Sequence, residues 1–441
     1  MQQYIDFFKS ERQTIDHACP PLLNAFREKA GETFQQKGFP AYRSEDYQQT
    51  DMAGLLKGNF GFYLNPPGQN IDPYKVFYCN VPHLNTHKCF TINGHFYGEP
   101  TGADLPAGVF SGSLNTFARQ HPAIFADYYN RLAAEKGDGL AAFNTMFVQD
   151  GYVLYVPANT VIEKAVQLTN ISRGNNASLI NRRILVIMEQ GAQAKLLVCD
   201  HTADEESTLA ATQVVEIYAG ENASFDFYEL EESTPKTIRL TTNFIRQEAS
   251  SCVVVNTITL SNGVTRNNYR VDLTGKQAET HLYGMAIGDM KQQIDNFTLI
   301  NHHVPACHSD ELFKYVLDDE ATGTFGGRII VAKDAPQTKA YQNNRNLLGS
   351  RHCRMYSKPQ LEIYADDVKC SHGMTIGQLD ENALFYMRSR GIPADEAILL
   401  LKFAFTGDVI QGIRLEGLRD RLKLLIEKRF RGELIKCQGC I

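Results

Sequence analysis

The sequence predicts a mainly β protein whose strand-rich middle is enclosed by helical regions. Three observations carry this. Short runs of β-branched and aromatic residues recur between about residues 150 and 365, with starts roughly every ten to fifteen residues. Gly, Asn and Asp punctuate them, at Gly191, Gly220, Asn262-Gly263, Thr274-Gly275 and Gly288. Before and after this stretch the apolar spacing changes to a helical period.

Residues 1–145 read as a mostly helical region with loops. Leu22-Leu-Asn-Ala-Phe-Arg-Glu-Lys-Ala30 repeats apolar side chains about one turn apart, and Gly38 and Pro40 end the run. One further helix is expected from about Leu114 to Lys136, capped by Ser113 and stopped by Gly137. Between them, residues 58–110 are rich in Gly, Pro and Asn and read as loops and short strands.

Residues 146–370 form the β core. Its runs include Tyr152-Val-Leu-Tyr-Val156, Ile184-Leu-Val-Ile187, Val214-Val-Glu-Ile-Tyr218, Val253-Val-Val255 and Arg328-Ile-Ile-Val331. Almost nowhere is there room for a helical crossover. That excludes βαβ repetition and leaves a sandwich, a barrel or a strand solenoid. The length of the stretch, the even spacing of short strands and the Thr, Gln, Asn and Glu at outward positions favour the solenoid. Periodicity alone leaves a double sandwich open. A solenoid has open ends, and the flanking helical regions are candidates to cap them.

Residues 371–441 return to helix. Asp380 is placed to cap Glu381-Asn-Ala-Leu-Phe-Tyr-Met-Arg388, and Gly391 to end it. Pro393 sits at a first-turn position before a second helix expected to stop at Gly407. A last helix carries Leu418, Leu422, Leu425 and Ile426 on one face. Arg419, Arg421, Lys423, Lys428 and Arg429 decorate the rest, as a solvated face or as a docking surface for a partner.

Composition narrows the function classes. The chain of 441 residues has 44 basic and 50 acidic residues, a net charge of −6. It has no basic excess with which to hold nucleic acid or an anionic membrane. The longest strongly apolar stretch, Ala397 to Phe405, is broken by Lys402 and too short to span a bilayer. The N-terminus lacks the charged start and apolar run of a secretion signal, and it is not Arg- or Ser-rich. The ten cysteines are mostly scattered singly in apolar runs, as in Leu196-Leu-Val-Cys-Asp200 and Ser251-Cys-Val-Val254. They read as small buried hydrophobes in a reducing cytoplasm.

Few motifs carry chemistry. There is no Walker A sequence, no G-x-G-x-x-G and no G-x-S-x-G elbow, so no phosphate cradle or hydrolase nucleophile is supported. His302-His303 and His308 lie near Glu311, but adjacent histidines on a strand point to opposite faces, which argues against a metal site. Cys437-Gln-Gly-Cys440 has the spacing of a dithiol or a metal half-site, against a loose reduced tail. Cys370 and His372 are two apart on an extended segment and so share a face. A thiolate and an imidazole there suit a borderline metal or a nucleophile pair, against a buried cysteine beside a hydrogen-bonded histidine.

The surrounding residues resemble the SufB/SufD family of iron–sulfur cluster assembly scaffolds. The resemblance rests on Phe325-Gly-Gly-Arg-Ile-Ile-Val331, Ala335-Pro-Gln337, Tyr341-Gln-Asn-Asn-Arg-Asn-Leu-Leu348 and Pro359-Gln-Leu-Glu-Ile363. It continues through Asp366-Asp-Val-Lys-Cys-Ser-His-Gly373, Gly377-Gln-Leu-Asp380, Phe385-Tyr386 and Ser389-Arg-Gly391. Asn144-Thr-Met-Phe147, Asp150-Gly151 and Val156-Pro157 are similar to it more weakly. So is Ser44-Glu-Asp-Tyr47 with Thr50, where the family usually has Trp at position 47. Met374 stands where Ala is usual. The form Cys-Ser-His-Gly favours the SufD side of the family, and no core cysteine matches the further cysteine that SufB carries.

The resemblance implies a right-handed parallel β-helix core flanked by N-terminal and C-terminal helical regions. It implies a non-catalytic scaffold that pairs with SufB through the β-helix and with the SufC ATPase through the C-terminal helices, with a homodimer plausible when SufB is absent. It implies that His372, with Cys370 beside it, takes part in building a nascent cluster at the SufB interface. The Fe–S cluster would then be transient, and reduced flavin would belong to the complex, with no cofactor held stably by this chain alone. Two alternatives differ in kind: a secreted-type β-helix polysaccharide lyase, and a stand-alone metal or redox protein using Cys437 and Cys440.

Overall fold

A computed structural model describes residues 1–65, 73, 84–98, 105–174, 176–202 and 206–433. The strand-rich middle winds as a parallel solenoid of about eight coils. Each coil contributes one strand to each of two 10-stranded sheets. The first sheet ends in Arg354–Ile363 and the second in Lys369–Gly377. Val264 lies opposite Gln293, and Gln293 opposite Thr322, so each of these coils takes 29 residues. Parallel connections of this kind turn right-handed, because a right-twisted strand packs back onto its sheet only that way.

One corner recurs in every coil. Asn159, Gly191, Asn222, Ser250, Gln277, Ala306, Gln337 and Asp367 all have φ between 53° and 68°. Each turns the chain from the first sheet into the second. Inside, the register stacks like on like. Leu154, Val186, Ile217, Ile245, Val271, Ile300, Ile329 and Leu361 form one aliphatic column through the lumen. The lumen is not wholly apolar. Arg239 is buried there and pairs with Asp200 at 2.7 Å, Glu229 at 2.9 Å and Glu231 at 2.7 Å.

The helical regions lie along the flanks of the solenoid, which corrects the expectation that they cap its ends. The outer rows of both sheets are apolar and need burial, and the helices supply it. Tyr4, Ile5, Phe34, Leu140 and Phe143 pack with Leu179, Ala210 and Leu240 on the first sheet. Val409, Ile410, Leu418, Leu422 and Leu425 pack with Leu197, Tyr228, Ile258 and Met285 on the second. At the N-terminal end the sheets finish in short antiparallel strands, His95–Tyr97 and Phe110–Ser113. At the C-terminal end the last strand of each sheet pairs on one side only among the described residues.

Local expectations fared unevenly. Ser113 caps as predicted, its hydroxyl accepting from the Asn115 and Thr116 amides. The single helix behind it is three: Leu114–Gln120, Pro122–Tyr128 and Arg131–Lys136. Pro122 starts a new helix, and Asn130 at φ 58° breaks the chain again. Asp380 caps Glu381–Ser389 as predicted. Gly407 does not stop its helix, which runs Ala394–Gln411, because Val409 and Ile410 are buried against the second sheet. The last helix, Glu416–Phe430, buries the apolar face read from sequence. Its Arg429 is not solvated: it grips Asp289 with both guanidinium nitrogens and donates to the Leu260 carbonyl at 2.9 Å. Among the described residues, no helix is long and apolar enough to cross a membrane.

Candidate functional site at the open end of the solenoid

The strand Lys369–Gly377 is the last rung of the second sheet. Alternation along it puts Cys370, His372, Met374 and Ile376 on one face. Register places them over Ala340, Gln342, Asn344 and Asn346, all of them buried. That face is the lumen side. The thiol and the imidazole therefore stand at the mouth of the solenoid, with no further coil above them among the described residues.

Cys370 is half-buried against the lumen core, and burial pushes its thiol pKa up, opposed by the Ala340 backbone. Ligation would require the thiol to give up its proton, which the metal displaces into solvent. His372 is exposed and has no side-chain partner among the described residues. It is free to reach a ligand.

A polar column supports the mouth. Gln342 lies beneath His372, and Glu311 beneath Gln342. The Gln342 amide donates to the Glu311 carboxylate. Burial lifts the Glu311 carboxyl to about 7. Gly327, inside the strand Thr322–Val331, makes room: a methyl group there would overlap the Gln342 amide. Ser357 Oγ donates to Asn344 Oδ1 at 2.7 Å and ties the last strand of the first sheet to the rung beneath Lys369–Gly377.

The structure brings Cys370 and His372 together as the motif suggested, and adds Gln342 and Glu311, which sequence reasoning missed. Their signal is the coil repeat, since Glu311 to Gln342 is 31 positions and Gln342 to His372 is 30. The histidines read near Glu311 do not converge. His302 is buried against Ser309 Oγ at 2.9 Å, and His303 reaches Asp272 at 2.7 Å. His308 packs edge-on to His281. Cys437 and Cys440 lie outside the described residues. Cys199 is buried as expected, but Cys252 is only half-buried, on the outer face of the second sheet.

The rim of the mouth is apolar and uncovered. Tyr356, Ile363, Tyr364, Met374 and Ile376 are exposed, and Phe385 in the helix Glu381–Ser389 is 74% exposed. The other motif residues are joints of the fold. Tyr47 lies under the Arg266 guanidinium and donates to Asp138, and Thr50 donates to Asp295. Asn144 spans two strands through the Arg182 and Thr212 carbonyls.

Comparison with known proteins places most of the chain in one family. The family model for the SUF system FeS cluster assembly SufBD core domain matches residues 170–405, and that for the SufBD protein N-terminal region matches residues 1–168. The iron–sulfur cluster assembly protein SufD of Escherichia coli is 32% identical over 399 residues, 90% of each chain. An iron–sulfur cluster assembly SufBD family protein of Synechocystis is 28% identical over 431 residues, 95% of this chain and 94% of its own. A chloroplastic protein of Arabidopsis thaliana is 26% identical over 417 residues, 91% of this chain and 85% of its own. With both the N-terminal region and the β core matched, the chain belongs to the SufB/SufD family and is an iron–sulfur cluster assembly subunit of the Suf system.

Proposed function

We propose that this chain is a non-catalytic, SufD-type scaffold of the cytoplasm, and that it supplies one half of a cluster-assembly site completed by SufB. The observation that carries this reading is the open mouth. Cys370 and His372 share the lumen face of a strand whose outer edge has no partner among the described residues, beside exposed apolar side chains. An unpaired strand edge with apolar side chains is a template for another chain. SufB, as a second solenoid of the same family, fits that template.

The division of labour follows from the chemistry of the residues. His372 offers an imidazole nitrogen to iron, and Cys370 offers a sulfur once its proton has left. Two donors do not fill the coordination of a cluster, so the remainder come from SufB or from sulfide. The cluster is cargo, held transiently. Reduced flavin acts at the level of the complex, and no residue of this chain is assigned to it. The chain has no P-loop, so ATP hydrolysis falls to SufC, docked on the C-terminal helices.

The test is cluster formation by the reconstituted complex of this chain with SufB and SufC. His372→Ala should leave co-purification intact and cut cluster yield severely. Cys370→Ala should cut it less, because the thiol is the more buried donor and burial favours its protonated form. Undiminished yield with His372→Ala would sink the role.

A further inference from the structure

A second group of donor atoms lies away from the mouth. Cys252 and Glu279 stand opposite each other on neighbouring strands of the second sheet, and His281 follows two positions on. All three are on the outer face, Glu279 and His281 three rungs from the last strand and Cys252 four. One donor atom from each lies within 4.8 Å of the others, and His281 Nε2 is 4.0 Å from Glu279 Oε2. Ligands of a tetrahedral ion stand about 3.3–3.8 Å apart. Glu279 is exposed and free to close that difference.

The surroundings set the imidazole for ligation. Tyr283 Oη donates its one proton to Asp310 Oδ2 at 2.9 Å. It also lies 3.2 Å from His281 Nδ1, where it can only accept. Nδ1 therefore carries the hydrogen and Nε2, on the Glu279 side, keeps its lone pair. This carboxylate–hydroxyl–imidazole chain is the kind of outer shell that orients metal-binding histidines. Gly412 holds it in place: a Cβ there would lie 2.9 Å from the Tyr283 ring. Arg414 lies beside Cys252, and its charge is paired with Asp226 at 3.0 Å.

We infer that Cys252, Glu279 and His281 form a three-ligand site for a borderline divalent transition-metal ion, Fe(II) or Zn(II), with a fourth position open. One sulfur, one nitrogen and one oxygen donor match those ions and not Mg(II) or Ca(II), which take oxygen. The site is distinct from the mouth and needs no partner chain to supply a ligand.

The test is anaerobic titration of the full chain with Co(II), in a Cys370→Ser, Cys437→Ser, Cys440→Ser background that removes the other candidate thiols. One equivalent should bind with thiolate-to-cobalt charge-transfer absorption, and Fe(II) or Zn(II) should displace it one for one. Cys252→Ser should abolish that absorption. His281→Ala and Glu279→Gln should weaken binding at least about tenfold, and Tyr283→Phe about tenfold through loss of orientation alone. Circular dichroism verifies that each variant is folded. Absence of the thiolate–cobalt band in the background chain, or its survival in Cys252→Ser, overturns the site.

Discussion

At the scale of single residues, the buried charges inside the solenoid give the sharpest expectations. Glu311 is fully buried, and its carboxyl is lifted from 4.5 to about 7. Its folded pKa lies above its unfolded one, so the fold holds this proton more tightly. That stability is complete below about pH 4 and is lost as pH rises through about 7. Glu311→Gln has no such dependence and keeps an acceptor and a donor for Gln342. The Tm of Glu311→Gln relative to the parent chain should therefore rise from about pH 5 to about pH 8, on the order of 2–3 kcal/mol in free energy. A difference that stays flat across this range would show that Glu311 ionises freely in the fold. Arg239 tests the opposite sign of burial. It neutralises three lumen carboxylates, so Arg239→Ala leaves uncompensated buried charge and should cost about 3–5 kcal/mol in denaturant unfolding. A loss below about 1 kcal/mol would mean that the carboxylates take up protons at little cost.

At the scale of elements, the corner that turns each coil explains what the sequence does and does not disclose. A residue with positive φ recurs once per coil, but only Gly191 of the eight is glycine, and only Asn159, Asn222 and Asp367 are Asn or Asp. Ser250, Gln277, Ala306 and Gln337 hide the repeat from any search for turn residues. The coil length near 29 residues is hidden with it. Cys370 and His372 were legible because their relation is local, two positions along one strand. Gln342 under His372, and Glu279 opposite Cys252, are neighbours only through the register, so no local pattern exposes them. The helices failed to read as flank layers for the same reason: their amphipathic faces were visible, but not the sheet faces they cover. Ala306 makes the corner testable. Left-handed backbone costs an alanine about 1–2 kcal/mol, and glycine loses about 0.5–1 kcal/mol of chain entropy. Ala306→Gly should therefore stabilise the chain by about 0.5 kcal/mol, read as a shift in denaturant midpoint. A loss of more than about 1 kcal/mol would show that the Ala306 methyl packs in a way that outweighs its strain.

At the scale of the whole molecule, the two ends of the solenoid are built differently, and that asymmetry sets how the chain associates. The N-terminal end is blunted by antiparallel strands, which prevent another parallel coil from stacking there. The flanks are already covered, one sheet by N-terminal helices and the other by C-terminal helices. Among the described residues, the C-terminal end combines unpaired strand edges with exposed Met374, Ile376 and Tyr356. Pairing with SufB is expected there, and SufC docking on the flank helices, so the two contacts are separable. Met374→Lys with Ile376→Lys places charge on the edge without touching the helices, a device that natural edge strands use against pairing. The double variant should lose SufB on size-exclusion chromatography, retain SufC, and melt within about 1 kcal/mol of the parent, because both side chains are already exposed. In isolation, any dimer of the parent chain formed through this edge should dissociate in the same variant. Retention of SufB by the double variant would place the interface elsewhere, and would remove His372 and Cys370 from the site that the mouth is proposed to share.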